Sequence, residues 1–479
     1  MIKGALKLVP RTYLWSLREE MSSWKSLRYL FLFLLAISAV IPTYRATSNY
    51  TSAWDEHQHL SYVQYVTEFK WPAPGYPMNT WGRQAFACHP HHLYGPMALS
   101  PCGVDGPGYN YPTGGASTAE SWPPGAYVII ATLSAPFHLL FADPLFAVRA
   151  GVVLTWSLGT ALIGIRALRS SRNLVSTTGW VLALSSLPAT GYFSSFVSPY
   201  CILPLVCFYS LWLFDQAENF FSQCQPRSKL KLAVTGLGFL MFPFALMFSI
   251  PHSISIVIAV SFAIFFSSLL HFKGKPFRQS VQRFLVFGTI SFFLVFLARW
   301  AHNFYNRVNA SRSIPWPVDT VPDAGASPLE HDPNWIYQIV VRAWNFFPMS
   351  LNDPLPNSYL IEFVVSLLTV LIVALIVGSS LGILQHNELP LAAGILVSSP
   401  IAGLLFYYAL NFEPPPRYGI ALSIFSIAIC AKIRTNKISS VVILILAIAL
   451  GVLALSSPQI YLEQPCWMIG DEGFLEVCT

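Results

Sequence analysis

The chain is short of charge. Only 10% of its 479 residues are Asp, Glu, Lys or Arg, against roughly a quarter in an ordinary soluble domain. So few ionised groups cannot clothe a water-facing globule, and a soluble single-domain protein is excluded. No C-x-x-C occurs among the eight cysteines, which removes the usual thiolate metal frame. H-E-x-x-H spacing is absent too. There is no P-loop and no dinucleotide glycine fingerprint, so ATP hydrolysis and nicotinamide chemistry lack a cradle. No repeat of fixed period, collagen pattern, heptad array or low-complexity tract interrupts the chain.

What remains is apolar. Hydrophobic residues make up 54% and aromatics 15%, the composition of an all-α polytopic membrane protein. A spanning helix needs about 20 apolar residues. Runs of that kind lie near 28–44, 123–141, 145–165, 174–192, 198–214, 232–250, 252–272, 284–302, 359–384, 389–410, 417–431 and 438–456.

The net charge of +6 speaks to the cytoplasmic side of a membrane rather than to nucleic acid. Basic residues should collect in the cytoplasmic loops. That happens if 123–141 does not cross. The cytoplasm then receives the N-terminus through Arg28 and the loops 166–173, 215–231, 273–283, 385–388 and 432–437. Those segments carry 19 of the 28 Lys and Arg but 5 of the 22 acids. Pro123, Pro124 and Pro136 also break helix, and Ser134 and His138 are polar. The expectation is about eleven spans in one membrane domain over 1–479, N-terminus inside and C-terminus outside. Residues 1–27 form a basic cytoplasmic anchor. A first outer loop covers 45–143, with 123–141 re-entrant or juxtamembrane, a second covers 303–358, and an outer tail covers 457–479.

Four cysteines fall on the outer side: Cys88 and Cys102 in the first loop, Cys466 and Cys478 in the tail. Each pair closes a short loop and suits a disulfide in an oxidising compartment; free buried thiols are the alternative.

The first outer loop opens with Trp54-Asp55-Glu56-His57-Gln58-His59. Carboxylates at the edge of hydrocarbon are costly and mark functional positions. Asp55 and Glu56 are adjacent and cannot point the same way on a regular element. One can serve as a general base toward a hydroxyl while the other caps a helix or takes a salt bridge. The plainer reading has Asp55 capping a helix that begins near Glu56. His57, His59, His89, His91 and His92 share this loop, and a divalent metal is compatible with them and the acids. Binding of an anionic phosphate is the sharper alternative, and solvated loop histidines the plainer one.

Glu413-Pro414-Pro415-Pro416-Arg417-Tyr418 enters a span at the same edge. Arg417 can fork onto phosphate oxygens at headgroup depth, or with Tyr418 simply anchor the interface. Trp122-Pro123-Pro124-Gly125-Ala126-Tyr127 opens the re-entrant segment and can floor a groove. Arg149 begins the next span, where snorkelling to headgroups is the ordinary role.

Together these patches resemble the GT-C superfamily of polytopic glycosyltransferases, which includes protein O-mannosyltransferases and lipid A aminoarabinose transferases. The run Asp55-Glu56-His57-Gln58-His59-Leu60-Ser61-Tyr62-Val63-Gln64-Tyr65 is similar to the motif Asp-Glu-Pro-x-His-x-x-Tyr-x-Gln-Tyr of a bacterial branch, with His57 at the usual proline. Pro123-Pro124-Gly125-Ala126-Tyr127 is similar to its Pro-Pro-Leu-Tyr-Tyr element. Arg417-Tyr418 is similar to its Gly-Arg-Tyr without the glycine. The resemblance covers most of the chain by layout and three short patches by motif.

It implies a polyprenyl-phosphate sugar as donor and an acceptor glycan, lipid or protein. Asp55 would be the catalytic base beside Glu56. His59, Arg149, Arg417 and Tyr418 would attend the donor phosphate, with Trp122, Pro123 and Tyr127 lining the groove. No resident cofactor is implied, membrane lipids are the surroundings, and the location is the outer face of a bacterial cytoplasmic membrane. Two other classes compete: a transporter or flippase of lipid-linked intermediates, and a metal-binding membrane protein built on the histidine loop.

Overall fold

The computed structural model describes residues 24–49, 51, 56–89, 101–107, 117, 119, 122–222, 237–238, 241, 245, 253–271, 276–309, 339–341, 343–344, 359–384, 388–410 and 419–456. The elements among them are helical. Helix α1 is Trp24–Ala46. Two short helices follow in the first loop, α2 (Glu56–Thr67) and α3 (Thr80–Cys88). Helix α4 (Gly125–Ser134) runs into a 3-10 turn, Ala135–Leu139, and α5 (Pro144–Ser171) returns from it. Next come α6 (Leu174–Ser186), α7 (Pro188–Phe193), a 3-10 turn at Pro199–Ile202 and α8 (Leu203–Ser222). The rest are α9 (Ile254–His271), α10 (Pro276–Asn309), α11 (Tyr359–Ser380), α12 (Leu389–Leu410), α13 (Ile420–Lys432) and α14 (Lys437–Ser456).

Six segments are long and apolar enough to cross a membrane: Ser26–Ala46, Pro144–Ser171, Leu285–Asn309, Tyr359–Ser380, Leu389–Phe406 and Lys437–Ser456. The protein is therefore an α-helical, multi-pass membrane protein. Shorter apolar helices include Gly125–Leu139 and Leu174–Ser186. The run expected at 174–192 is not one helix. Leu187 leaves the helical region (φ −58°, ψ 146°) and Pro188 starts α7 afresh, because a residue before proline is driven toward extended backbone.

Helix α5 is the axis of the bundle. It is mostly buried and packs against α1, α4, α6, α8 and α13. Small residues permit the close approaches. A Cβ on Gly159 would lie 2.5 Å from the Leu205 nitrogen of α8, and one on Gly151 would lie 2.7 Å from Ser134 of α4. Helices α1 and α5 run antiparallel: Leu34 lies against Gly164, the Ser38 hydroxyl donates to the Ser157 carbonyl, and Ala46 meets Arg149.

Charge collects at the two ends of α5. At one end Arg166 pairs with Asp215 of α8, and Lys432 of α13 bridges Glu388 (3.0 Å), just before α12, and Asp215 (3.7 Å). At the other end stands Arg149. The backbones of Arg149 and Arg166 are about 25 Å apart along the axis, at roughly 1.5 Å rise per residue. That approaches the hydrocarbon depth of a bilayer, about 30 Å. Arg166, Asp215, Glu388 and Lys432 come from segments that the charge count placed on one side, and they meet at one end of the bundle.

Candidate active site

At the Arg149 end, α2 begins with Glu56. The side chains of Glu56 and Arg149 are both fully buried. Arg149 Nε donates to Glu56 Oε1 at 2.8 Å and Nη2 donates to Oε2 at 2.7 Å. The Val197 N–H adds a third bond to Oε1 at 2.9 Å. Arg149 Nη1 donates to the carbonyls of Ala46 (3.3 Å) and Ser48 (2.6 Å), and the Phe196 ring lies 4.9 Å from the guanidinium carbon. Such a bidentate pair is both strong and directional. It ties the start of α2 to the end of α1, the first turns of α5 and the segment after α7. Glu56 thus takes a salt bridge, and Arg149 is committed to it. Asp55, the residue before, lies outside the described residues, as do Arg417, Tyr418, Cys466 and Cys478.

The helix sends His57 and His59 in different directions, as their two-residue spacing requires. The His57 ring packs on Phe86 of α3 (centroids 3.5 Å). His59 faces α4, where Nδ1 sits 2.7 Å from the Tyr127 hydroxyl. Tyr62, one turn on, stacks flat on Tyr127 (3.9 Å, 13°), and its hydroxyl donates to the Trp122 carbonyl at 3.4 Å. Trp122 makes T-shaped contacts with His59 (6.3 Å) and with Tyr200 (5.6 Å). His59, Trp122 and Tyr127 therefore form one aromatic wall, with Pro123 buried at its base. Tyr62 and Tyr200 complete it. Tyr62 was visible within the motif. Tyr200, more than seventy residues after Tyr127, carried no signal. Burial pushes the pKa of His59 down to about 3, since little near it compensates for lost hydration.

Helices α2 and α3 form a hairpin whose caps are side chains of α2. The Gln64 side-chain oxygen accepts the Trp81 N–H at 2.8 Å, and Ser61 Oγ accepts the Asn79 N–H at 3.0 Å, so orphan donors of the α3 start are satisfied. The other end of α3 is held twice. Cys88 is disulfide-bonded to Cys102. His89 places Nδ1 3.0 Å from the Asn49 carbonyl and Nε2 2.7 Å from Asp143 Oδ2. Each ring nitrogen thus faces an oxygen, one of the backbone and one of a carboxylate. Asp143 also caps α5 through the Leu145 N–H (2.8 Å). Burial raises its pKa, but the His89 and Leu145 hydrogen bonds outweigh that and leave it below the ordinary value.

Arg45, at the end of α1, is also buried, and its guanidinium lies so close to Gly191 of α7 that a Cβ there would collide with it. Its sequence context, a lone arginine closing an apolar run, did not mark it out. One pentapeptide, Gly378-Ser379-Ser380-Leu381-Gly382, has the spelling of a serine-hydrolase nucleophile elbow. It closes the apolar helix α11 rather than following a strand, so it lacks the required strand–turn–helix frame. Among the described residues, no group of three or more His, Cys, Asp or Glu is placed to hold a metal ion. Compared with family models, curated proteins and solved structures, the chain matches none.

Proposed function

We propose that this protein is an inverting GT-C-type glycosyltransferase that moves a sugar from a polyprenyl-phosphate donor to an acceptor hydroxyl at the outer face of a bacterial cytoplasmic membrane. The reading is carried by the locked position of Glu56. Its buried pairing with Arg149 fixes the start of α2 at one charged end of the bundle, beside the His59–Trp122–Tyr127 wall. Asp55 precedes it by one residue. Asp55 takes the proton from the acceptor hydroxyl as that oxygen attacks the anomeric carbon. The bond to phosphate breaks, and polyprenyl phosphate leaves with the electron pair. Arg417 and Tyr418 are assigned to the departing phosphate, whose charge a guanidinium fork can hold. Glu56 positions the motif, and Arg149 serves the reaction through it. The topology that goes with this has about eleven spans, N-terminus inside and C-terminus outside.

The deciding experiment substitutes Asp55→Asn and assays transfer from radiolabelled prenyl-linked sugars. Turnover is expected to fall by at least about a thousandfold with folding intact, which is the scale of losing a general base. Near-normal turnover removes the assignment. A second reading, a flippase for lipid-linked intermediates, draws on the partly buried ion cluster at the far end of α5. Arg166, Asp215, Glu388 and Lys432 join segments that a gate would have to part. Scrambling of lipid-linked sugar by purified protein in vesicles, with no transfer, selects that reading.

A further inference from the structure

Two turns meet at the end of the bundle opposite Glu56. One joins α5 to α6 through Arg172 and Asn173, and the other, residues 433–436, joins α13 to α14. Asn173 Nδ2 donates to Ser440 Oγ at 2.6 Å, and the Thr435 hydroxyl lies 2.8 Å from the same oxygen. Ser440 is buried, so the joint is fixed. Beyond it α6 and α14 run side by side: a Cβ on Gly179 would lie 3.0 Å from the Leu444 nitrogen. The two turns and the helix ends beside them carry Arg169, Arg172, Arg434 and Lys437, all exposed. The side chains of Arg169, Arg172 and Lys437 make no hydrogen bond or ion pair among the described residues. The described acids at this end, Asp215 and Glu388, are engaged by Arg166 and Lys432. Arg172 also sits in the left-handed region (φ 52°) at the end of α5, a position that glycine or asparagine fills more easily. A cation is kept there against backbone preference.

The patch stands at the rim of the apolar surface. Leu174 and Val175 follow Arg172 by two and three residues, and Ile438, Val441 and Val442 follow Lys437 along α14; all five are exposed. Helix α14 is long and apolar enough to span. A ligand that answers both surfaces is anionic at one end and apolar at the other. We propose that Arg169, Arg172 and Lys437 form a binding site for an anionic phospholipid, with guanidinium donors on its phosphate and its acyl chains along the exposed face of α14. A general surplus of bases on one side of a membrane needs no convergence. Here a hydrogen bond between residues 267 positions apart joins the two basic turns into one surface. On the topology proposed above this is the cytoplasmic leaflet, whose anionic lipids attract basic segments. The site is independent of the glycosyltransferase reading, because it lies at the other end of α5 from Glu56 and Arg149.

The test is native mass spectrometry of the full chain in detergent, titrated with dioleoyl phosphatidylglycerol or, as the neutral control, dioleoyl phosphatidylcholine. Wild-type protein is expected to retain the anionic lipid at least about tenfold more strongly. Arg172→Asn removes the charge but suits the left-handed backbone, so the thermal unfolding midpoint should hold while affinity for the anionic lipid falls about fivefold. The triple variant Arg169→Gln/Arg172→Asn/Lys437→Gln should lose the preference altogether. Lys70→Gln, which removes an exposed base of the first loop, should leave binding within about twofold. Equal retention of the two lipids by wild type overturns the proposal, and so does a preference that survives in the triple variant. Displacement of the lipid by millimolar inorganic phosphate would mark a site for a soluble anion and overturn it too. So would loss of a dimer, rather than of lipid, in the triple variant. Should the triple variant fail to fold, Arg172→Asn decides alone.

Discussion

Glu56 and Arg149 show what one residue's placement commits. Removing one partner strands a charge where water cannot reach it. Arg149→Met should therefore cost roughly 3–5 kcal/mol of stability, read as a fall in the thermal unfolding midpoint in detergent. Arg149→Lys should recover little, because an ammonium cannot reproduce the planar fork. The Asp143–His89 pair has a pH signature. Folding depresses the Asp143 pKa below 3.8, so its contribution is complete above about pH 4 and is lost as pH falls through the lower, folded value. Acid unfolding of Asp143→Asn should accordingly be less steep with pH than that of the wild type, as followed by circular dichroism between pH 2 and 5.

At the scale of elements, the close crossings decide. Gly159 lets α5 and α8 approach until a Cβ would meet backbone rather than a yielding side chain. Gly159→Leu should push the helices apart and cost roughly 1–3 kcal/mol, measurable in the same melt. The break between α6 and α7 matters in another way. It turns the chain at Leu187-Pro188 and so lets Val197 reach Glu56 with its N–H. An unbroken helix over 174–192 would have carried that donor elsewhere.

For the whole molecule, the two charged ends of the bundle and the disulfide make linked claims. The Cys88–Cys102 bond closes a separation of 14 residues. Its loss in a Cys88→Ser/Cys102→Ser variant should cost about 3 kcal/mol, and the wild type alone should change mobility on reduction. Single cysteines placed at Asn49 and Arg169 should react with an impermeant maleimide from opposite sides of sealed vesicles. Labelling of both from one side would break the proposed topology and the enzyme with it.

Much of the frame was legible without coordinates. Apolar run length is a local property, and hydrocarbon enforces it directly, so the helices of α1, α5, α11, α12 and α14 fall where their runs predict. The spacing of His57 and His59 likewise implied that the two rings diverge on a helix. Glu56 was legible only as one of two acids. Choosing it for the salt bridge needed Arg149, 93 residues away, and Tyr200, Arg45 and Asn49 gave no local sign at all.

Composition and apolar run length by themselves determined that this is a helical, multi-pass membrane protein, because transfer from water to hydrocarbon is felt residue by residue. Tertiary structure alone decided that Glu56 is bound by Arg149 and that His59 meets Tyr127. Those outcomes depend on directional contacts between distant segments, and such geometry has no period or composition through which a sequence could announce it.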